Sequence, residues 1–428
     1  MTSHYHPAGI TTLRRLQTSA GPPPDSELRR LASVRPVTLV LPCHARDLGT
    51  ESLALMVQEL AATPWISRFI VGLDGLEESG LPAAKACFAA LGERVSFLWT
   101  DSPAAAAVEA RLKAAHETTA ASGKGRNVWL CFGLALTLSQ AQAQAGTETP
   151  SDSAFPSGSD GPSPSNHESG PDSGSRTGIV AVHDCDIRAY PRELPVRLCL
   201  PLLRPEFGFR FSKGFYSRHS DRLHGRLMRL LVHPLLQAME MLAGPVPVLQ
   251  FIRAFQYPLA GETAMDMGLL RHLAIPAGWG LEMGLLHQIH RLLPPSAVCQ
   301  AGLCAVYDHK HQDLCPDDPG SGLNRMAREV SATLLGTVSG GTYPWREGIL
   351  KTWEPRAAEA LRQAEAESLM NGLSFDRGQE ALAIRTFGQA LENALELPAA
   401  PALLPSWASA ERLCPGIVSQ LAAAESKL

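Results

Sequence analysis

Three apolar runs near the amino end constrain the fold most: Val37-Thr38-Leu39-Val40-Leu41, Phe69-Ile70-Val71-Gly72-Leu73 and Val95-Ser96-Phe97-Leu98-Trp99. Each has the length of one buried strand, and segments with helical spacing of apolar residues, Glu51 to Ala61 and Ala83 to Leu91, separate them. Strand, helix, strand, helix, strand makes neighbouring strands parallel, because the chain crosses back through each helix before re-entering the sheet. The sequence therefore predicts an α/β fold, Rossmann-like, with helices covering both faces of a mostly parallel central sheet. Open sheets of this kind bind ligands beyond the carboxyl ends of their strands. Pro42-Cys43-His44-Ala45-Arg46-Asp47 and Asp74 fall at that edge.

A fourth run, Gly178-Ile179-Val180-Ala181-Val182, leads directly into His183-Asp184-Cys185-Asp186. Side chains alternate along an extended segment, so Asp184 and Asp186 share one side and can approach one cation directly or through water. Oxygen donors of this type suit Mg2+ or Mn2+, which substrate phosphates commonly complete. The pattern points to an enzyme that handles a nucleoside diphosphate. An isolated Asp-x-Asp is also an ordinary polar strand end, so its weight depends on its company.

The 428-residue chain is long enough for one full α/β catalytic domain with additions. A formal net charge of -4 argues against a general nucleic-acid binder, which carries a basic surplus. Nine cysteines, odd in number and without a C-x-x-C pair, read as reduced thiols and not as a disulfide framework or zinc site. The most apolar later stretch, Leu227 to Leu242, contains Pro234, Arg229, His233 and Glu240, and is too short and polar to cross a bilayer. No integral membrane association is expected, and the cytoplasm is the expected compartment.

Residues 1–35, with Gly21-Pro22-Pro23-Pro24, read as a flexible lead-in, and residues 36–340 as the catalytic domain. An alanine-rich helix over Pro103 to His116 precedes Ser122-Gly123-Lys124-Gly125-Arg126-Asn127, and a second helix follows through Leu138. From about 145 to 177 the chain turns to Ser, Gly, Pro and Asp, the composition of a disordered insertion that tolerates deletion. Helices are predicted over Leu223 to Leu242, Thr263 to Leu273 and Leu281 to Leu292, and a last strand within Val298 to Tyr307. Residues 341–428 form a helical C-terminal extension, of which Glu354 to Leu428 reads as a tail or a dimerisation element, so a homodimer is one possible assembly.

In order along the chain, Gly123-Lys124-Gly125, Asp184-Cys185-Asp186, Lys213-Gly214-Phe215-Tyr216, Gly225-Arg226, Pro258-Leu259-Ala260-Gly261-Glu262, Trp279-Gly280-Leu281-Glu282 and Asp308-His309-Lys310-His311 resemble the glucosyl-3-phosphoglycerate synthase family. These are retaining nucleotide-sugar glycosyltransferases with the glycosyltransferase A fold, similar to the mannosylglycerate synthases. The resemblance implies that Asp186 is the direct metal ligand, that Asp184 contacts the ribose or a metal-bound water, and that His309, with His311 second, completes the shell. It places Gly123, Lys124 and Pro42 in the nucleotide pocket. Asp74 is a candidate for the uracil or ribose and, equally, a turn residue before Gly75. Glu282 and Lys213 are the residues implied nearest the chemistry, with Glu282 facing the donor sugar and also reading as a helix-start acid. Tyr216 reads as a stacking or core aromatic, and Gly225 and Arg226 match the acceptor site. The loop after Pro42 departs from the family pattern, which leaves the choice of uridine or guanosine open.

Arg204, Arg210, Lys213, Arg218, Arg222, Arg226 and Arg229 gather positive charge after the acidic pair in a net acidic chain. Arginine grips oxyanions through two parallel hydrogen bonds, so a small anionic acceptor such as 3-phosphoglycerate or glycerate fits this cluster, as does the plainer reading of a solvated helix face. The expected reaction moves a hexose, glucose before mannose, from a nucleoside-diphosphate sugar to that acceptor. A sugar-phosphate nucleotidyltransferase shares the sheet and the acidic ligands but carries a Gly-rich phosphate loop near the first strand, which Pro42 to Gly49 lacks. A non-catalytic nucleotide-sugar-binding protein is the third reading.

Overall fold

The computed structural model describes residues 9–16, 21–116, 123–145, 178–308, 314, 318, 320–339, 346–397 and 403–425. Its centre is an eight-stranded sheet. In chain order the strands are β1 (Thr11–Leu13), β2 (Val37–His44), β3 (Ile66–Asp74), β4 (Val95–Trp99), β5 (Ile179–Val182), β6 (Phe211–Phe215), β7 (Thr263–Asp266), β8 (Ile275–Pro276), β9 (Val298–Gly302) and β10 (Leu403–Leu404). The sheet order is β1-β9-β6-β7-β5-β2-β3-β4, and β8 pairs separately with β10. Every neighbour in the large sheet is parallel except β7, which runs antiparallel to both β5 and β6. This is the mostly parallel, Rossmann-like sheet that the alternating runs predict.

Helices α1 (Asp25–Val34), α2 (Glu51–Ala61), α3 (Leu81–Cys87), α4 (Pro103–His116), α5 (Lys124–Ala145), α6 (Glu193–Leu203), α7 (His233–Ala243), α8 (Pro247–Arg253) and α9 (Leu281–Leu292) flank the strands. They are followed by α10 (Gly322–Ser339), α11 (Arg346–Met370), α12 (Arg377–Leu395), α13 (Trp407–Leu413) and α14 (Ile417–Glu425). Strand alternation divides the interior into two layers. Val40, Ile70 and Val180 join one apolar cluster with α5, while Leu39, Leu41 and Ala181 join the other with α2 and α6. Helix α5 lies tight on β3, where Asn127 Nδ2 donates to Gly72 O at 2.8 Å. A Cβ at Gly72 would stand 1.8 Å from Asn127 Oδ1, so glycine is what allows that approach.

Several elements depart from the sequence reading. Thr263 to Leu273 is a strand followed by a 3-10 turn, not a helix. Met265, Met267, Leu269, Leu270 and Leu273 do carry helical spacing, but ladders from β5 and β6 capture the backbone of Thr263–Asp266 on both edges. Leu223 to Leu242 begins irregularly, winds as a π-helix over Leu227–Val232 and only then becomes α7. The expected lead-in contributes β1, which extends the sheet edge beside β9, and α1. Helix α5 continues to Ala145, beyond Leu138, and the last strand of the large sheet ends at Gly302. The predicted insertion, from 146 to 177, lies outside the described residues. Among the described residues no helix is long and apolar enough to cross a membrane.

Candidate active site

A cleft of about 620 Å³ opens over the carboxyl ends of β2, β3 and β5. Pro42, His44 and Asp74 form one side, Lys124, Asp184, Asp186 and Glu282 the middle, and Arg218, Arg222, Gly225 and Arg226 the other side. Helix α10 adds Leu323, Arg325 and Met326, which the motif reading did not find. Topology explains the convergence, since parallel strands deliver their exits to one edge of the sheet.

The glycines of Gly123-Lys124-Gly125 have a steric purpose. A Cβ on Gly125 would stand 2.0 Å from Pro276 O, and one on Gly123 would stand 2.9 Å from Ala277 O. Only a bare backbone lets the first turn of α5 pass against this segment, and Arg126 N seals the contact by donating to Ala277 O at 2.8 Å. Lys124 is thereby aimed into the cleft, where its Nζ lies 2.6 Å from Asp184 Oδ1 and 2.9 Å from Glu282 Oε1. Burial works to lower the Lys124 pKa, but Asp184 and Glu282 overcome it and hold the group above the ordinary lysine value. The two carboxylates thus favour the ammonium form of Lys124.

Asp184 is cradled by backbone, since a Cβ on Gly261 would come within 2.5 Å of its Oδ2. Asp186 is pushed up to about 7, chiefly by burial and next by the charge of Asp184, while Lys124 pulls it down. A divalent cation beside the pair removes that repulsion, and two carboxylates plus substrate phosphates form an oxygen donor set of the kind Mg2+ and Mn2+ take. Among the described residues no group of three His, Cys, Asp or Glu side chains is gathered tightly enough to hold a metal alone. His309 and His311, the expected completing ligands, lie outside the described residues. The donor set fits a cation that the substrate helps to bind.

At the exits of β2 and β3, Asp74 accepts a hydrogen bond from Thr100 Oγ1 at 2.8 Å and lies 3.7 Å from Arg126 Nη1. His44 Nδ1 accepts from Arg46 N at 3.1 Å, so in neutral His44 the proton sits on Nε2. Gly75, at φ +68°, packs under that ring, where a Cβ would come within 2.9 Å of Nε2.

Two expected site residues stand away from the cleft wall. Lys213 is 1% exposed and donates from Nζ to Ala260 O at 2.6 Å. It supports the Ala260–Glu262 turn under Asp184 and does not line the cleft. Tyr216 likewise faces inward, stacked on Tyr307 at 3.7 Å and donating to Glu262 Oε2 at 2.8 Å. Glu262, fully buried, also accepts from Tyr307. Burial, then the charge of Asp184, raises its pKa, and the two phenol donors oppose that shift.

Of the predicted basic cluster, Arg218, Arg222 and Arg226 reach the cleft. Arg204 pairs with Glu27, and Arg210 lies 2.7 Å from Asp266. Gly225 takes a φ of +72°, a conformation that favours glycine, just before Arg226. Arg226 Nε donates to Glu380 Oε1 at 2.8 Å. Glu380 sits in the C-terminal extension, and nothing local in the sequence announces this contact.

No family model matches the chain. A glucosyl-3-phosphoglycerate synthase of Persephonella marina is 28% identical over 98% of this chain and 97% of its own length. One of Methanococcoides burtonii is 27% identical over 90% of this chain and 89% of its own length. A crystal structure of glucosyl-3-phosphoglycerate synthase from Mycobacterium tuberculosis with Mn2+ and UDP-glucose superposes with a TM-score of 0.48 at 23% identity, covering 77% of this chain and 86% of that one.

Proposed function

We infer from the near full-length similarity that this chain is a glycosyltransferase of the glucosyl-3-phosphoglycerate synthase family, and propose that it moves glucose from a nucleoside-diphosphate donor to 3-phosphoglycerate or a closely related hydroxy acid. The observation that carries the reading is Lys124, fixed between Asp184 and Glu282 over the exit of β5. A permanent cation held at the acidic pair stabilises charge that grows on a departing diphosphate. A Mg2+ or Mn2+ ion held by Asp184 and Asp186 would supply Lewis acidity to the same oxygens.

The donor's nucleoside lies toward Pro42, His44 and Asp74, and its diphosphate toward Lys124. Glu282 orients the sugar hydroxyls, and Arg226 holds the carboxylate or phosphate of the acceptor. The bond from the anomeric carbon to the β-phosphate oxygen breaks with its electron pair passing to the diphosphate. The acceptor hydroxyl oxygen forms the new glycosidic bond and gives its proton to the leaving phosphate. Glu282, the carboxylate assigned to the sugar, is tied to Lys124, which supports front-face attack with retention over a covalent glycosyl-enzyme.

A matrix of sugar nucleotides against small acids, with Mg2+ or Mn2+ and with chelator, tests this. The expected result is acceptor-dependent release of nucleoside diphosphate, abolished by chelation, and a product whose anomeric configuration by NMR matches the donor. Lys124→Met should lower kcat by roughly 10²–10³-fold in the same assay. Turnover that persists in chelator, or no release with any donor, overturns the reading.

A further inference from the structure

We propose that Glu380, 154 residues beyond Arg226 in the chain, is a positioning residue of the acceptor site, an inference that rests on the acceptor role proposed for Arg226. Glu380 is 4% exposed, and its two oxygens are divided between two guanidinium groups. Oε1 accepts from Arg226 Nε at 2.8 Å and Oε2 from Arg229 Nη1 at 3.0 Å. Holding Arg226 by Nε fixes the plane of the group and leaves Nη1 and Nη2, which take no other partner among the described residues, as the fork for an oxyanion in the cleft that Arg226 lines. One carboxylate between two guanidiniums leaves the site net positive, so the clamp orients Arg226 without cancelling its attraction for an anion.

Two further contacts show that this part of the extension grips the whole acceptor segment. Ser374 N donates to Asp221 O at 2.7 Å, and Ser374 bridges Arg222 in parallel. On the other side of Arg226, Arg229 Nε donates to His224 O at 3.0 Å, so the Glu380 to Arg229 contact also ties down the turn that carries Gly225. The π-helix that starts at Leu227 begins at this clamp, and such wide turns recur where side chains are aimed for function. The C-terminal helices thus supply the acceptor half of the site with its rigid backing, while β2, β3 and β5 hold the donor half.

Orientation and neutralisation predict opposite signs. If Glu380 only masked charge, its removal would tighten acceptor binding. If it positions Arg226, removal weakens it. Glu380→Gln and Glu380→Ala are expected to raise the acceptor KM by about tenfold or more, the scale of a misplaced binding group, with donor KM and saturated kcat within about twofold of wild type. Glu380→Asp keeps the charge but withdraws the oxygens, and should fall between. Thermal unfolding identifies any variant that fails to fold, in which case the more conservative members of the series decide. Calorimetric Kd values for 3-phosphoglycerate, with nucleoside diphosphate and Mn2+ present, check the KM values without turnover. An acceptor KM that is unchanged or lower, or donor and acceptor constants rising together, overturns the positioning role. Failure of the wild-type protein to use any acidic acceptor would instead sink the proposed function.

Discussion

Lys213 is a buried charge that braces the turn beneath the cleft. Its ammonium is enclosed beneath the Ala260–Glu262 turn, and burial pulls its pKa down to about 8. In the unfolded chain the same group titrates near 10.5, so between those values the unfolded state binds more protons and stability rises with pH. The contribution is complete above the unfolded value and disappears as pH falls through about 8. Each unit of separation corresponds to about 1.4 kcal/mol. Lys213→Met removes the titrating group, so its unfolding free energy should lack the upward slope of wild type between pH 8 and 10, measured by urea denaturation. Equal slopes would mean that Lys213 is solvated. Asp184, Asp186 and Lys124 are legible in the sequence because their chemistry is local: an apolar run that ends in two acids, and a lysine between two glycines. Glu380 is not, because its partners Arg226 and Arg229 are brought to it only by the tertiary fold.

At the level of elements, periodicity located helices well where packing and pattern agree, as in α2, α4 and α9. It failed at β7, where pairing with two distant strands outweighs helical spacing, and at β1, whose three residues are too short to carry a pattern. The sequence shows only a general helical tail where the small helices α13 and α14 dock on the helix that begins with Lys124. Trp407 stacks on Trp129 at 4.0 Å, and each indole nitrogen donates across the contact, Trp407 Nε1 to Trp129 O at 2.9 Å and Trp129 Nε1 to Pro405 O at 2.8 Å. Gly133 makes this fit possible, since a Cβ there would stand 2.4 Å from Trp407 Cζ2 and 2.5 Å from Leu421 Cδ1. Gly133→Ala is expected to cost about 1–3 kcal/mol by overpacking. Trp407→Ala should cost about 3–5 kcal/mol through the cavity it leaves. Chemical denaturation measures both, and values within about 0.5 kcal/mol of wild type, typical of uncoupled surface changes, would refute the docking of α13 and α14 on α5.

For the whole molecule, the extension is part of the same interior as the catalytic sheet. One apolar cluster takes in Ile10 from the amino end, Val40 and Val180 from the sheet, Trp353 and Phe387 from α11 and α12, and Leu421 from α14. A boundary near residue 340, natural from sequence because the α/β alternation stops before it, therefore does not separate two hydrophobic cores. Elements that share a core lose their stability together, because unfolding either exposes apolar surface on both. Scanning calorimetry should accordingly show one cooperative transition for the full chain, with no earlier peak from α11 to α14. Nucleoside diphosphate added with Mn2+ should move that transition as a unit, by about 2.7 kcal/mol of stabilisation at a hundredfold excess over Kd. If a second peak appeared and failed to move with ligand, the extension would be an independent domain, and the clamp of Glu380 on Arg226 would have to open and close with it. A single ligand-shifted peak instead requires that the helix carrying Glu380 and the strand exits that carry Asp74 and Asp184 unfold as one body.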